Sequence, residues 1–213
     1  MEAVLMIPVL LFSVITHEVA HGYVAYLCGD NTAKQQGRLT FNPLPHIDLF
    51  GTIIFPLVLI ITKAPILFGW AKPVPVNPYN LRNPGRHHLY VSMAGIISNL
   101  VLACACTIIY GFYINSFQPN ATDDPVVLML NFGIQINLIL AVFNLLPIPP
   151  LDGSWILYHL LPNELANLYK KIFPFGFIIL IILLMSNMIH VVITPVYSFI
   201  LKILSQILSA III

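Results

Sequence analysis

Residues 3–27 read AVLMIPVLLFSVITHEVAHGYVAYL. At about 1.5 Å per residue, a helix over this stretch is long enough to cross the roughly 30 Å hydrocarbon core of a bilayer. Glu2 stands where a cleaved signal peptide would carry a basic residue, which favours a retained helix. Polar side chains are costly inside a membrane, so Glu18 and its two neighbouring histidines predict a polar site within a transmembrane helix.

The composition of the whole chain agrees with this setting. Of the 213 residues, 59% are hydrophobic and 8% are charged, and the mean hydropathy is +0.92. Soluble domains have about 45–50% apolar and about 25% charged residues. A net charge of +1 gives no field that would attract nucleic acid. The sequence therefore predicts an all-α integral membrane protein, with a single domain over residues 1–213 embedded in the lipid bilayer.

Four more apolar stretches are long enough, or nearly so, to cross a membrane: residues 89–115, 125–146, 172–192 and 195–213. Residues 49–62 form a sixth stretch of about 21 Å in helical form, interrupted by Pro56, which favours a re-entrant segment. Before it, residues 37–41 alternate weakly and predict a short strand. We expect five to six transmembrane helices, with a re-entrant or β-hairpin-like segment after the first.

The sequence His17-Glu18-Val19-Ala20-His21 has the form H-E-x-x-H. Four residues turn a helix by about 400°, so both imidazoles leave the same face one turn apart, as two ligands of one zinc ion do. Glu18 lies in a neighbouring sector, where a carboxylate can act as general base without binding the metal. The alternative is a hydrogen-bonded polar cluster that holds helices together.

A catalytic zinc ion needs a third protein ligand. The best candidate is Asp152, in the stretch NLLPIPPLDG over residues 144–153. The three prolines break the helix, and a broken helix at membrane depth is tolerated only beside protein or a water-filled cavity. The alternative is that Asp152 caps the helix that follows.

The number of membrane crossings tests whether Asp152 can be the third ligand. If residues 49–62 crossed the membrane, Asp152 would lie on the side opposite to the histidines. If they are re-entrant, Asp152 returns to the depth of His17 and His21. Only the re-entrant arrangement completes the metal site.

The charges supply the orientation. The side reached by the first helix receives Lys34, Arg38, Lys63, Lys72, Arg82, Arg86, Lys170 and Lys171. The other side holds Glu2, Asp123 and Asp124 and no basic residue. By the positive-inside rule we expect a multi-pass protein of the cell membrane, with its site in the cytoplasmic half and its N-terminus outside.

These motifs resemble those of the site-2 protease family of intramembrane zinc metalloproteases. The similarity lies in the H-E-x-x-H motif, in the stretch from Asn144 to Asp152-Gly153, in Gly95-x-x-x-Asn99, and in residues 68–78, which are similar to the compact branch without PDZ or CBS domains. It covers about residues 10–160. The sequence departs from the family pattern at Ile96, which follows Gly95 where the family usually has proline. This departure puts a local kink of the helix in question and does not affect the metal ligands.

The resemblance implies a zinc metalloendopeptidase that cleaves in or near the transmembrane segments of membrane-protein substrates. It implies His17, His21 and Asp152 as ligands of one zinc ion and Glu18 as catalytic base. Asn99 and Asn144 would be polar groups of the cleft that contact the oxyanion or the substrate. The catalytic core would span about residues 3–160, followed by C-terminal helices over about 172–213.

Two other functions use the same residues: a membrane metal transporter and a non-catalytic scaffold. A transporter needs a polar path across several helices, and the half of the chain away from the basic loops is too apolar to supply one. A di-iron desaturase needs several histidine clusters, which seven scattered histidines do not form. The sequence leaves open the substrate, the oligomeric state and the roles of His46, His87 and His88.

Overall fold

The structure is a computed structural model that describes residues 2–62, 69–118, 124–186 and 188–212. Its α-helices in these ranges are α1 (Glu2–Leu27), α2 (Thr32–Gln35), α3 (Phe55–Ile61), α4 (Pro84–Phe117), α5 (Pro125–Asn144), α6 (Asp152–Leu160), α7 (Asn163–Lys170), α8 (Gly176–Met185) and α9 (Met188–Ile211). No strand occurs in the described ranges.

The structure confirms the prediction of an all-α integral membrane protein. Five helical stretches among the described residues are long and apolar enough to cross a membrane: Val4–Leu27, Pro84–Phe117, Pro125–Asn144, Asn163–Met185 and His190–Ile211. The fourth of these consists of α7, a 3-10 turn (Phe173–Phe175) and α8.

Local sequence signals set where helices α4 and α5 begin. Asn83 accepts a hydrogen bond from the Arg86 amide at the start of α4, and Asp124 accepts from the Val126 and Val127 amides at the start of α5. Proline occupies the first helical position of both, where its missing N–H costs nothing.

Helices α1, α4 and α5 pack against one another, and α4 also contacts α6 and α9. Helix α4 runs antiparallel to α1, because His17 contacts Asn99 and His21, farther along α1, contacts Val91, which precedes Asn99 in α4. Helix α5 runs parallel to α1, since an added Cβ at Gly133 would lie 3.6 Å from Val9 and Asn137 bonds Ser13. This arrangement is the one that the re-entrant prediction requires.

The re-entrant segment is one short helix, formed by a π-helical part (Leu49–Ile54) and α3. After it, the Trp70 amide donates to the Gly51 carbonyl at 3.1 Å, and the Lys72 amide donates to the His46 carbonyl at 2.9 Å. The chain therefore returns to the place that it left, instead of crossing to the other side.

The predicted strand over residues 37–41 is wrong. These residues form turns and bends, and Gly37 has a φ of +64°. The Arg38 guanidinium donates to the Lys72 carbonyl and the His46 ring donates to the Thr40 carbonyl, so side chains bond the backbone groups of this region. A strand needs a neighbouring strand, and none lies beside this segment in the described chain.

The predicted break between the last two apolar stretches is also misplaced. Helix α8 ends at Met185 and α9 runs from Met188 through Pro195 to Ile211, whereas the sequence predicted helices over 172–192 and 195–213. Membrane helices tolerate proline within them when neighbouring groups satisfy the freed backbone, so Pro195 does not end a helix here.

Candidate metal centre

Three side chains from two helices converge on one point. The Nε2 atoms of His17 and His21, on α1, lie 3.0 Å apart. The Oδ2 atom of Asp152, the first residue of α6, lies 3.2 Å from each of them. The three atoms thus form a nearly equilateral triangle, which joins the two parts of the sequence that were predicted to meet.

The triangle fits a zinc ion. Ligand atoms in a tetrahedral zinc site with bonds of about 2.0–2.2 Å lie about 3.3–3.6 Å from one another, slightly more than the spacing of these three atoms. Asp152 Oδ2 is buried and, although it lies near both imidazoles, makes no hydrogen bond with either. A buried carboxylate oxygen without a hydrogen bond is costly, and a cation bound between the three atoms would satisfy it.

Asp152 reaches this point because the chain turns sharply after α5. An added Cβ at Gly153 would lie 2.2 Å from the Leu145 carbonyl oxygen, so only glycine permits so close an approach of α6 to the end of α5. No side-chain hydrogen bond caps α6, and the Asp152 carboxylate faces the imidazoles. The structure therefore places Asp152 in the arrangement expected of a ligand and not in that of a cap.

The other nitrogen of each imidazole is also fixed. The Nδ1–H of His21 donates to the Val91 carbonyl at 2.7 Å, and the Nδ1 of His17 lies 2.6 Å from Asn99 Oδ1. A carbonyl oxygen only accepts hydrogen bonds, so Nδ1 of each ring carries a proton, and in the neutral imidazole the Nε2 lone pair faces the triangle. Partners of this kind orient metal-binding histidines and set their tautomer.

The two asparagines of the motifs lie in different surroundings. Asn99 is fully buried behind His17, and its amide donates to Asn137 Oδ1 and to the Ser13 carbonyl. The Asn144 amide donates to the Leu140 carbonyl within α5. Asn99 is therefore placed to orient His17 and not to face a cleft, and Asn144 makes no hydrogen bond to the three converging residues.

The side chain of Glu18 lies beside the triangle and is not part of it. Its Oε2 atom accepts a hydrogen bond of 2.7 Å from the backbone amide of Val74, in the extended, proline-rich segment that precedes α4. The remaining histidines with open roles lie apart from the triangle. His46 bonds Thr40, His88 shares a hydrogen bond with His159, and His87 accepts from the Asn83 amide.

Sequence reasoning missed Asn137, Ser13 and the backbone groups of Val91 and Val74. A signal existed for Asn137, because an asparagine within an apolar transmembrane stretch marks an internal polar contact. No comparable signal identified the two backbone groups.

Comparisons with known proteins agree with this geometry. Residues 113–186 match the model of Peptidase family M50. Over 195 residues the chain is 38% identical to "Putative zinc metalloprotease YwhC" of Bacillus subtilis, with 89% of this chain and 84% of the relative covered. Over 185 residues it is 32% identical to "Putative zinc metalloprotease Rip2" of Mycolicibacterium smegmatis, with 86% and 67% covered. No solved structure matches significantly.

Both alignments must include the Asp152 region, since each spans more than four fifths of this chain. They favour the protease prediction over the transporter and scaffold alternatives. The chain belongs to Peptidase family M50, the site-2 protease family of membrane-embedded zinc metalloproteases.

Proposed function

We propose that this protein hydrolyses peptide bonds in or near the transmembrane segments of membrane-protein substrates, using one zinc ion per chain held by His17, His21 and Asp152. The observation that carries the proposal is the triangle of ligand atoms, together with the buried Asp152 oxygen that lacks a hydrogen bond. Both imidazoles direct Nε2 at the triangle and are held at Nδ1 by hydrogen bonds, which orients them as metal ligands are oriented.

Zinc bound there would polarise the scissile carbonyl and lower the pKa of its water toward about 7. Glu18 takes a proton from the attacking water at Oε1, while Oε2 stays bonded to the Val74 amide. The same carboxyl group then delivers that proton to the nitrogen of the leaving amine. Asn99 holds the His17 ring in place throughout, and Asn144 stays a candidate contact for the substrate.

The proline-rich segment is suited to hold an extended substrate. The amides of Trp70, Lys72 and Val74 donate hydrogen bonds to the protein. In an extended segment the backbone groups of the alternate residues 71, 73 and 75 therefore point outward. Two of these are prolines, which leaves the outward edge rich in carbonyl acceptors, none of them bonded within the described chain. An unwound substrate strand would donate its own amides to this edge.

We place the protein in the cell membrane with its metal centre in the cytoplasmic half and its N-terminus outside. The support is the distribution of charge, because all the lysines and arginines that precede α8 lie either between the end of α1 and the first turn of α4 or between α5 and α8. A substrate would be another membrane protein that reaches the centre from within the bilayer.

Metal content tests the proposal directly. We expect about one zinc per chain in detergent-purified wild type and in Glu18→Gln, and a loss in Asp152→Ala, because only the last change removes a ligand. Asp48→Ala, which removes a carboxylate outside the centre, is the matched control and should keep its zinc. Wild type without zinc, or Asp152→Ala with a full complement, would contradict the proposal.

A further inference from the structure

A buried chain of hydrogen bonds runs from the backbone of α1 to the ring of His17. Ser13 Oγ donates to the Val9 carbonyl at 2.8 Å, and Asn137 Nδ2 donates to Ser13 Oγ at 2.9 Å. Asn99 Nδ2 donates to Asn137 Oδ1 at 2.8 Å, and Asn99 Oδ1 meets His17 Nδ1 at 2.6 Å. The three linking side chains are at most 2% exposed.

The donor-to-acceptor direction of these hydrogen bonds is set at the end farthest from His17, at the Val9 carbonyl. The Val9 carbonyl only accepts, so it takes the hydroxyl hydrogen of Ser13 and leaves Oγ as an acceptor. Asn137 Nδ2 donates to that oxygen and also to the Gly133 carbonyl at 2.8 Å. With its nitrogen held by two acceptors, Asn137 must turn Oδ1 toward Asn99.

The orientation of Asn99 follows from that of Asn137. Asn99 must present Nδ2 to the Asn137 oxygen, and the same nitrogen donates to the Ser13 carbonyl at 3.3 Å. Only Oδ1 is left for His17, so the His17 ring must carry its proton on Nδ1. Its Nε2 is then unprotonated and faces His21 and Asp152.

We infer that Asn137 is a positioning residue, anchored through Ser13, that fixes the tautomer of His17 needed to bind a metal. The inference rests on the proposed zinc site. Without Asn137, only the longer 3.3 Å bond to the Ser13 carbonyl holds the Asn99 amide, which can then rotate by 180° and offer Nδ2 to the ring. His17 would then accept at Nδ1 and carry its proton on Nε2, the atom that zinc requires to be free. The linking side chains are at most 2% exposed, so bulk solvent offers no substitute partner for Asn99.

Zinc affinity of variants at Asn137 tests this inference. Asn137→Leu removes the acceptor that faces Asn99, and we expect zinc to bind at least about tenfold more weakly, the usual cost of losing such a partner. Asn137→Asp keeps an oxygen toward Asn99 and, when protonated on its other oxygen, a donor toward Ser13 Oγ, so it should restore affinity to near the wild-type value. The measurement is competition for zinc with a chelator in detergent, with thermal unfolding of each metal-free variant as a check of folding.

Thr107→Val is the matched control, because Thr107 is equally buried but bonds only the Ala103 carbonyl of its own helix. It should bind zinc like wild type. If Asn137→Leu fails to fold, Asn137→Ala takes its place with the same expectation. The inference fails if wild type binds zinc and the apolar Asn137 variant binds it as tightly, or if Thr107→Val loses as much. Wild type that binds no zinc would instead contradict the proposed function itself.

Discussion

A single backbone amide holds one oxygen of Glu18. The Val74 N–H donates to Oε2, which leaves Oε1 as the acceptor for a proton. Val74 lies between Pro73 and Pro75, which keep this part of the chain extended. Its side chain is buried against Gly22, where an added Cβ would lie 2.7 Å from Val74. The position of the catalytic carboxylate thus depends on a loop segment as well as on its own helix.

Replacing Val74 by proline should remove this hydrogen bond while keeping the segment extended. We expect Val74→Pro to lower kcat by about tenfold or more, since a general base contributes only when it is positioned, with zinc content unchanged. The measurement is the cleavage rate of a membrane-protein substrate that wild type cleaves. Val74→Ala, which keeps the amide and loses the side chain, should be much less affected. Equal losses in both variants would show that packing, and not the hydrogen bond, matters.

At this scale the sequence was informative where helical periodicity or the order of membrane crossings fixes the partners, as for His17 and His21 and for Asp152. Helical periodicity predicts His17 and His21 on one face with Glu18 in a neighbouring sector, and the structure has this arrangement. The bond between Asn99 and Asn137 joins residues 38 apart in sequence, and that between Ser13 and Asn137 joins residues 124 apart. Such contacts depend on how the helices pack, which no local pattern encodes.

Helix α4 approaches the metal centre most closely at Gly95. An added Cβ there would lie 2.4 Å from His21 Nε2 and 2.6 Å from His17 Nε2. The helix continues unbroken from Pro84 to Phe117, so the departure from the family pattern at Ile96 produces no break. The glycine serves the packing of α4 on α1 and leaves the space in which the imidazoles meet.

Gly95→Ala should therefore weaken zinc binding, although alanine favours the helix itself. We expect at least about a tenfold loss of zinc affinity, comparable to the loss of a partner of a metal ligand, with α-helical content by circular dichroism unchanged. Gly111→Ala in the same helix is the control, because its Cβ would meet only side-chain atoms, those of Ile211 and Leu208, which can move. Zinc affinity preserved in Gly95→Ala would contradict this account of the packing.

Among the elements, hydropathy located the transmembrane stretches better than it located their ends. A transmembrane helix is recognisable in the sequence because its apolar stretch must be long enough to match the thickness of the bilayer. The break between Met185 and Met188 and the passage of α9 through Pro195 depend on tertiary packing. The absence of a strand over residues 37–41 has the same origin, since a strand exists only with a partner.

For the molecule as a whole, the metal centre is possible because the chain makes two crossings, α4 and α5, between the end of the first helix and Asp152. Helix α1 carries its histidines toward one side, α4 runs back, and α5 returns the chain to the same depth, where α6 begins with Asp152. The segment that contains the short helix from Leu49 to Ile61 must then start and end on the same side of the membrane. The hydrogen bonds from Trp70 to Gly51 and from Lys72 to His46 close that excursion.

This topology, with the orientation proposed from the charges, predicts the accessibility of single cysteines. In a variant with Cys28, Cys104 and Cys106 replaced, Gln36→Cys and Tyr79→Cys flank the re-entrant segment, and Ser116→Cys lies near the far end of α4; all three positions are exposed. A membrane-impermeant maleimide applied to intact cells should label only Ser116→Cys, and all three after permeabilisation. Labels at Gln36 and Tyr79 on opposite sides would mean that residues 49–61 cross the membrane. If Gln36→Cys and Tyr79→Cys are both labelled in intact cells and Ser116→Cys is protected, the topology is correct and the orientation is reversed. The two conclusions are separable because the fold fixes which positions share a side, whereas only the charges indicate which side is the cytoplasm.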